Sequence, residues 1–178
     1  MIGSLRAATV RDADDIAIVH VTSWRETYPG IVPQSVLDGL STVDRAERWR
    51  SILNRQAAHD ANFVACDHAG MVVGFASGGA QRYAASSYDG EFYAVYVLRR
   101  AQGCGLGRLL MQAMARSLCD DGRMSANVWV AARNIPACQF YAALGGRLVA
   151  VSSDTLGGVV IDAVAYGWDD LSSLARRR

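Results

Sequence analysis

With 178 residues, 51% of them apolar, the chain has material for one well-filled core and little for a second, so a single domain over 1–178 is expected. A formal net charge of +1 and a pI near 7.7 argue against a general polyanion binder, so neither a nucleic-acid nor a membrane partner is expected. Cys66, Cys104, Cys119 and Cys138 form no CxxC pair and no ligand cluster with His20, His59 or His68, which predicts reduced, mostly buried thiols and no metal centre.

The first residues lack the basic start and unbroken apolar run of a signal peptide, and no stretch approaches the roughly 20 apolar residues of a spanning helix, so a cytoplasmic location is expected. In chain order, a short strand at Leu5 to Ala8 precedes a helix capped by Asp12, in which Ile16, Val19, His20 and Ser23 recur at helical spacing up to Trp24. Tyr28-Pro29-Gly30 stops it. Helices follow at about Pro33 to Leu40 and Asp44 to Arg55, the latter with a Trp49, Ile52, Leu53 stripe. Strands at Asn62 to Asp67 and Met71 to Gly78 flank the short turn His68-Ala69-Gly70 and should pair antiparallel.

A loop rich in small and polar residues, Gln81 to Gly90, leads to the nearly continuous apolar run Glu91 to Val97, the pattern of a central strand covered on both faces. Gly103 to Gly107 then opens a helix with Leu106, Leu109, Leu110, Ala113, Met114 and Leu118 on one face and Gly122 at its end. A strand at Ser125 to Val130, a helix from Asn134 to Leu144 and strands at Arg147 to Val151 and Val159 to Gly167 complete the pattern. Arg176, Arg177 and Arg178 read as a solvated end, with a weak anion-binding tail as the other reading. Two strand-helix-strand units after an antiparallel hairpin predict an α/β fold, a mixed sheet of six to seven strands with helices on both faces.

Arg99 to Arg108 carries the most information. Glycines that join a strand directly to a helix let the backbone approach a ligand, and the unpaired N–H groups and positive dipole end of that helix suit phosphate or pyrophosphate. A Rossmann fingerprint fails, because Gly103 and Gly105 are followed by Arg108 where a third glycine would stand; a P-loop fails for want of Gly-Lys-Ser/Thr.

Gln102, Gly105 and Gly107 match the Q/R-x-x-G-x-G/A signature, and the segment therefore resembles that of the GCN5-related N-acetyltransferase (GNAT) superfamily. Asn134 to Gly146, read as N-xx-A-xx-FY-xx-LG-G, is similar to a second family segment, and Ser23-Trp24-Arg25-x-x-Tyr28 and Tyr166-Gly167-Trp168-x-Asp170-Leu171 extend the resemblance over most of the chain. It implies two central parallel strands that splay apart, with acetyl-CoA between them and no metal. The main chain of Val95 and Val97 would pair with pantetheine amides. Gln102, Gly103, Cys104, Gly105, Leu106, Gly107 and Arg108 would hold the pyrophosphate, and Asn134 would bind cofactor or act as an ordinary N-cap.

By the same resemblance Tyr141 protonates the leaving thiolate, and Glu91 is the base for the amine; a core tyrosine and a solvated strand-end glutamate are the plainer readings. Tyr93 relays a proton, lines the pocket or packs in the core. Trp24 and Tyr28 line the acceptor pocket or end a core helix. The implied acceptor is a small-molecule or peptide amine, the implied reaction N-acetyl transfer, and many family members are homodimers. A module that binds acyl-CoA without turnover, and a nucleotide-binding protein, are the alternatives.

Overall fold

The computed structural model describes residues 3–55, 60–83, 86–156 and 158–176; His59, Arg177 and Arg178 lie outside them. One seven-stranded sheet runs through the chain: β1 (Ser4–Ala7), β2 (Ala61–Cys66), β3 (Val72–Ala80), β4 (Gly90–Val97), β5 (Ala126–Ala131), β7 (Val159–Trp168) and, at the edge, β6 (Arg147–Leu156). β4 and β5 are the parallel pair; every other neighbour is antiparallel. Both strand-helix-strand units expected are therefore crossovers between parallel strands: β4-helix-β5 joins neighbours, whereas β5-helix-β6 joins strands with β7 between them. The chain after the second helix returns as a β6–β7 hairpin that adds to β5 through β7.

α1 (Ala13–Thr27), α2 (Gln34–Asp38) and α3 (Thr42–Asn54) precede the main sheet, and α4 (Leu106–Asp120), α5 (Ile135–Ala143) and α6 (Leu171–Arg176) follow β4, β5 and β7. α1 packs on β3 and β4 with α3 against it, and α4 packs on β2, β3 and β4. The expected Asp12 cap is not made: its carboxylate holds Arg6 through both oxygens (2.7 and 2.8 Å) and accepts from Thr9 N (2.7 Å). α3 starts two residues earlier than expected because Ser41 accepts from Asp44 N at 3.2 Å. α6 was not foreseen; Asp170 caps it through Ser172 N (2.8 Å), while Leu171 and Leu174, at helical i,i+3 spacing, are fully buried.

The cysteines are free, as expected, but only Cys66 is buried; Cys104 is exposed and the other two are intermediate. His20 belongs to the core, ringed by Trp24, Trp49, Phe75 and Tyr96. Among the described residues no helix is long and apolar enough to cross a membrane.

Candidate active site

The sheet itself opens the site. β4 and β5 pair over only Gly90–Ala126, Glu91–Asn127 and Phe92–Val128; beyond these, β4 stays with β3 as far as Val97 and β5 stays with β7 as far as Ala131. Each strand is held from its outer side, so a gap widens between them. Leu98 N donates to Val73 O on β3 (2.9 Å), and strand alternation then turns the main-chain groups of Val95 and Val97 into the gap. A cleft of about 760 Å³ follows the gap through the sheet. The second half of β4 is thus only half-buried; its apolar run borders a cleft rather than a second packed layer.

On the α4–α5 side the walls are mostly backbone. Gly103 and Gly105 have φ of 75° and 89°, the left-handed region that strains residues with a Cβ, and Gly105 caps α4. Gly107 touches α5: a Cβ there would stand 3.1 Å from Phe140 Cζ. Leu109 N closes the first helical bond on Gly105 O (3.1 Å), which leaves the N–H groups of Leu106, Gly107 and Arg108 directed out of the helix end. Leu106 buries its side chain, and Cys104, whose Sγ bonds Ala101 O, does not line the cleft, so either can offer a ligand only main chain from the site's side.

Gln102 does line the cleft, but its Nε2 donates to Val97 O at 2.9 Å, occupying one of the two carbonyls that face the gap. Arg108, Arg99 and Arg133 border the cleft; Arg133 is tied to Gly30 O (2.7 Å), and Arg99 holds Glu26. Asn134 combines its two readings, since Oδ1 caps α5 through Ala137 N (3.3 Å) while the residue still lines the cleft. Tyr141, on α5, is 6% exposed, packs against Phe140, Tyr166 and Trp168 and reaches the cleft. Burial pushes its phenol up, with a smaller contribution from Tyr96, so the proton stays on oxygen at neutral pH.

On the opposite face the walls are side chains. Tyr96, which the sequence reading passed over, is the hub: its hydroxyl accepts from Trp24 Nε1 (3.0 Å), meets Tyr28 Oη (3.3 Å), and its ring stacks on His20 at 5.1 Å. Burial raises the hydroxyls of both Tyr28 and Tyr96. Tyr28 lines the cleft. Trp24 does not: it packs with Tyr28, Val32 and Leu37 behind the wall, because its one polar atom is committed to Tyr96. Ser23, the residue before Trp24, does line the cleft, and its Oγ is buried with no partner among the described residues.

Glu91 is neither solvated nor free. At 1% exposure its carboxylate takes Nε of Arg82 at 3.1 Å, the Arg82 Nη2 group and Arg82 N at 3.2 Å. Arg82 in turn lies 4.3 Å over the Tyr93 ring, and Tyr93 donates to Ala80 O at 2.6 Å. A β-bulge between Ser77 and Gly78 leaves Tyr93 without a ladder partner, which turns its ring toward this pair. Any role of Glu91 as proton acceptor requires the Arg82 pair to loosen. Arg82, in a loop with no periodic pattern, carried no sequence signal.

A strand-splayed mixed sheet with a glycine turn at its gap defines an acyl-CoA-type transferase scaffold, and the comparisons agree. The FR47-like protein family matches residues 72–153. The uncharacterized N-acetyltransferase YuaI of Bacillus subtilis is 40% identical over 171 residues, 96% of this chain and 95% of its own. Among solved structures, the paia N-acetyltransferase of Thermoplasma acidophilum with coenzyme A superposes at TM-score 0.71 (15% identity, 90% of this chain and 96% of that one). The yncA protein of Salmonella typhimurium with acetyl-CoA superposes at 0.70 (22% identity, 94% and 93%). The chain belongs to the GCN5-related N-acetyltransferase superfamily and is an enzyme of the N-acetyltransferase class.

Proposed function

We propose that the enzyme moves the acetyl group of acetyl-CoA directly to a primary amine, both substrates meeting in the β4–β5 gap. The observation that carries this reading is the continuity of the cleft, from bare backbone at the glycine turn to a polar pocket on the far sheet face. The donor's pyrophosphate suits the N–H groups from Gly103 to Arg108 at the dipole end of α4, and its pantetheine amides suit the open main chain of Val95 and Val97. Gln102 would release Val97 O as the donor enters. The unpartnered Ser23 hydroxyl gives a ligand one more buried polar contact.

Tyr141, held neutral by burial, donates a hydrogen bond to the departing sulfur and its proton as the thiolate forms. On the other side, a lysine-like amine with pKa about 10.4 is only about 0.04% neutral at pH 7, so removing its proton matters. Glu91, reached through water while Arg82 yields, is the acceptor of that proton carried by the family resemblance, and Tyr28 and Tyr93 bound the pocket. The test is an acetyl-CoA thiol-release screen over small amines and peptides, with calorimetric titration of CoA. Thiol release with an amine supports the reading; tight CoA binding without release from any amine replaces it by an acyl-CoA-binding module.

A further inference from the structure

A second cavity, of about 440 Å³, adjoins the cleft on the acceptor face and shares Tyr83 and Trp129 with it. Across the sheet Glu91 pairs with Asn127, Asn127 with Gly167 and Trp129 with Ala165, so these side chains share one face. The cavity lies between Asn127 and Trp129 of β5 and Val149, Ala150, Ser152 and Ser153 of the edge strand, with Ala163 and Ala165 of β7 covered beneath them. The result is a trough between β5 and the edge strand β6.

Its roof is fixed. A Cβ on Gly167 would fall 2.2 Å from Tyr88 Oη, so Tyr88 lies flat against the bare backbone, with its hydroxyl on Asp169 (3.0 Å). Gln81 Nε2 ties the same loop to Ser86 Oγ (2.9 Å) and Asn127 Oδ1 (2.8 Å). Tyr83 and Trp129, edge to face at 6.4 Å, line both the trough and the cleft, so one ligand can occupy the two.

We infer that this trough seats the body of the acceptor, and that the body is uncharged and rich in hydroxyls, as in an amino sugar, with its amine reaching past Trp129 toward Glu91. Hydroxyls of Ser86, Ser87, Ser152 and Ser153 offer donors and acceptors, Trp129 and Tyr83 offer apolar ring faces, and no Asp, Glu, Lys, Arg or His lines the trough among the described residues. A second ammonium or carboxylate would lose hydration there with no counter-charge to replace it, which disfavours polyamines and acidic acceptors. The inference rests on the acetyltransferase reading.

The test compares thiol release with glucosamine, cyclohexylamine, spermidine and ethylamine, rates being referred to the neutral amine at each pH. Glucosamine is expected to exceed cyclohexylamine and spermidine in kcat/KM by about 10-fold or more. Ser152→Leu, on the exposed edge strand where a larger side chain is tolerated, should lower kcat/KM for glucosamine about 10-fold through KM. It should leave ethylamine turnover and CoA affinity within about twofold, and Ser152→Thr should retain the preference. Turnover of ethylamine without a preference for glucosamine, or an equal effect of Ser152→Leu on every amine, overturns the subsite and leaves the acetyltransferase standing. Absence of release from all four amines, with release from a peptide or another amine of the wider screen, overturns the subsite alone; tight CoA binding with no release from any amine or peptide overturns both.

Discussion

The two ends of the cleft are made of different material. Around Gly103 to Arg108 and along Val95 to Val97 the surface is main chain, bared by positive-φ glycines and by a strand with no inner neighbour. Around Tyr28, Tyr96, Arg82 and Glu91 it is side chain, locked by contacts between residues up to 72 positions apart. On the proposed function the donor rests on main chain, whose groups every residue carries, and the acceptor on side chains, which substitution can recast residue by residue.

Tyr141 stands where the two ends meet, and its replacement should have the largest effect. Tyr141→Phe removes a proton donor and no backbone contact, so kcat is expected to fall about 100-fold or more while CoA affinity stays within about twofold by calorimetry. Wild-type turnover in that variant across pH would remove the phenol from the mechanism. Gly105→Val probes the backbone end alone. Forcing a β-branched residue to a φ of 89° costs on the order of 2 kcal/mol of local strain, so CoA affinity should weaken about 30-fold with the fold retained by circular dichroism. Unchanged affinity would mean that the turn is only a connector.

The same division decides what could be read from the chain. The backbone end was legible because its requirements are local: glycines two apart after an apolar strand and before an amphipathic helix state a turn and an exposed main chain within ten residues. The strand order was not, since the same apolar pattern serves whether β6 lies beside β5 or leaves room for β7 to return between them. At the side-chain end, Trp24 and Tyr28 share one helical stretch, yet only Tyr28 reaches the cleft; what separates them is the hydroxyl of Tyr96 on a distant strand. Glu91 was found as a residue but its state was not, because Arg82 lies in a loop whose fold depends on Glu91. α6 did leave a signal in Asp170 and the Leu171, Leu174 pair, too short to outweigh a strand end.

Glu91→Gln tests the side-chain end. If the pair with Arg82 is chiefly structural, the amide keeps shape and loses charge, and because Arg82 is half exposed and can rehydrate, the loss should be about 1–2 kcal/mol, a fall in Tm of roughly 3–6 °C. A structural role leaves the acidic limb of the kcat profile in place. Loss of that limb with Tm unchanged would instead make Glu91 the base.

The smallest effect lies beneath the pocket, where His20 stacks on Tyr96. Trp49 Nε1 donates to His20 Nδ1 at 3.2 Å, which fixes the neutral Nε2–H tautomer, and burial, with lesser repulsion from Arg45 and Arg48, pushes the imidazole down to about 3. In the unfolded chain the same group titrates near 6.5. Between these values the unfolded state binds a proton that the folded state refuses, so the stabilising contribution is whole above about pH 6.5 and is lost as pH falls toward 3, at most about 1.4 kcal/mol per pH unit. His20→Gln keeps an acceptor for Trp49 and cannot take up that proton. Its stability should therefore decline less steeply than that of the wild type from pH 6.5 to 4.5, a difference measurable by urea unfolding at each pH. Parallel slopes would show that the imidazole is hydrated, and with it the floor beneath Tyr96.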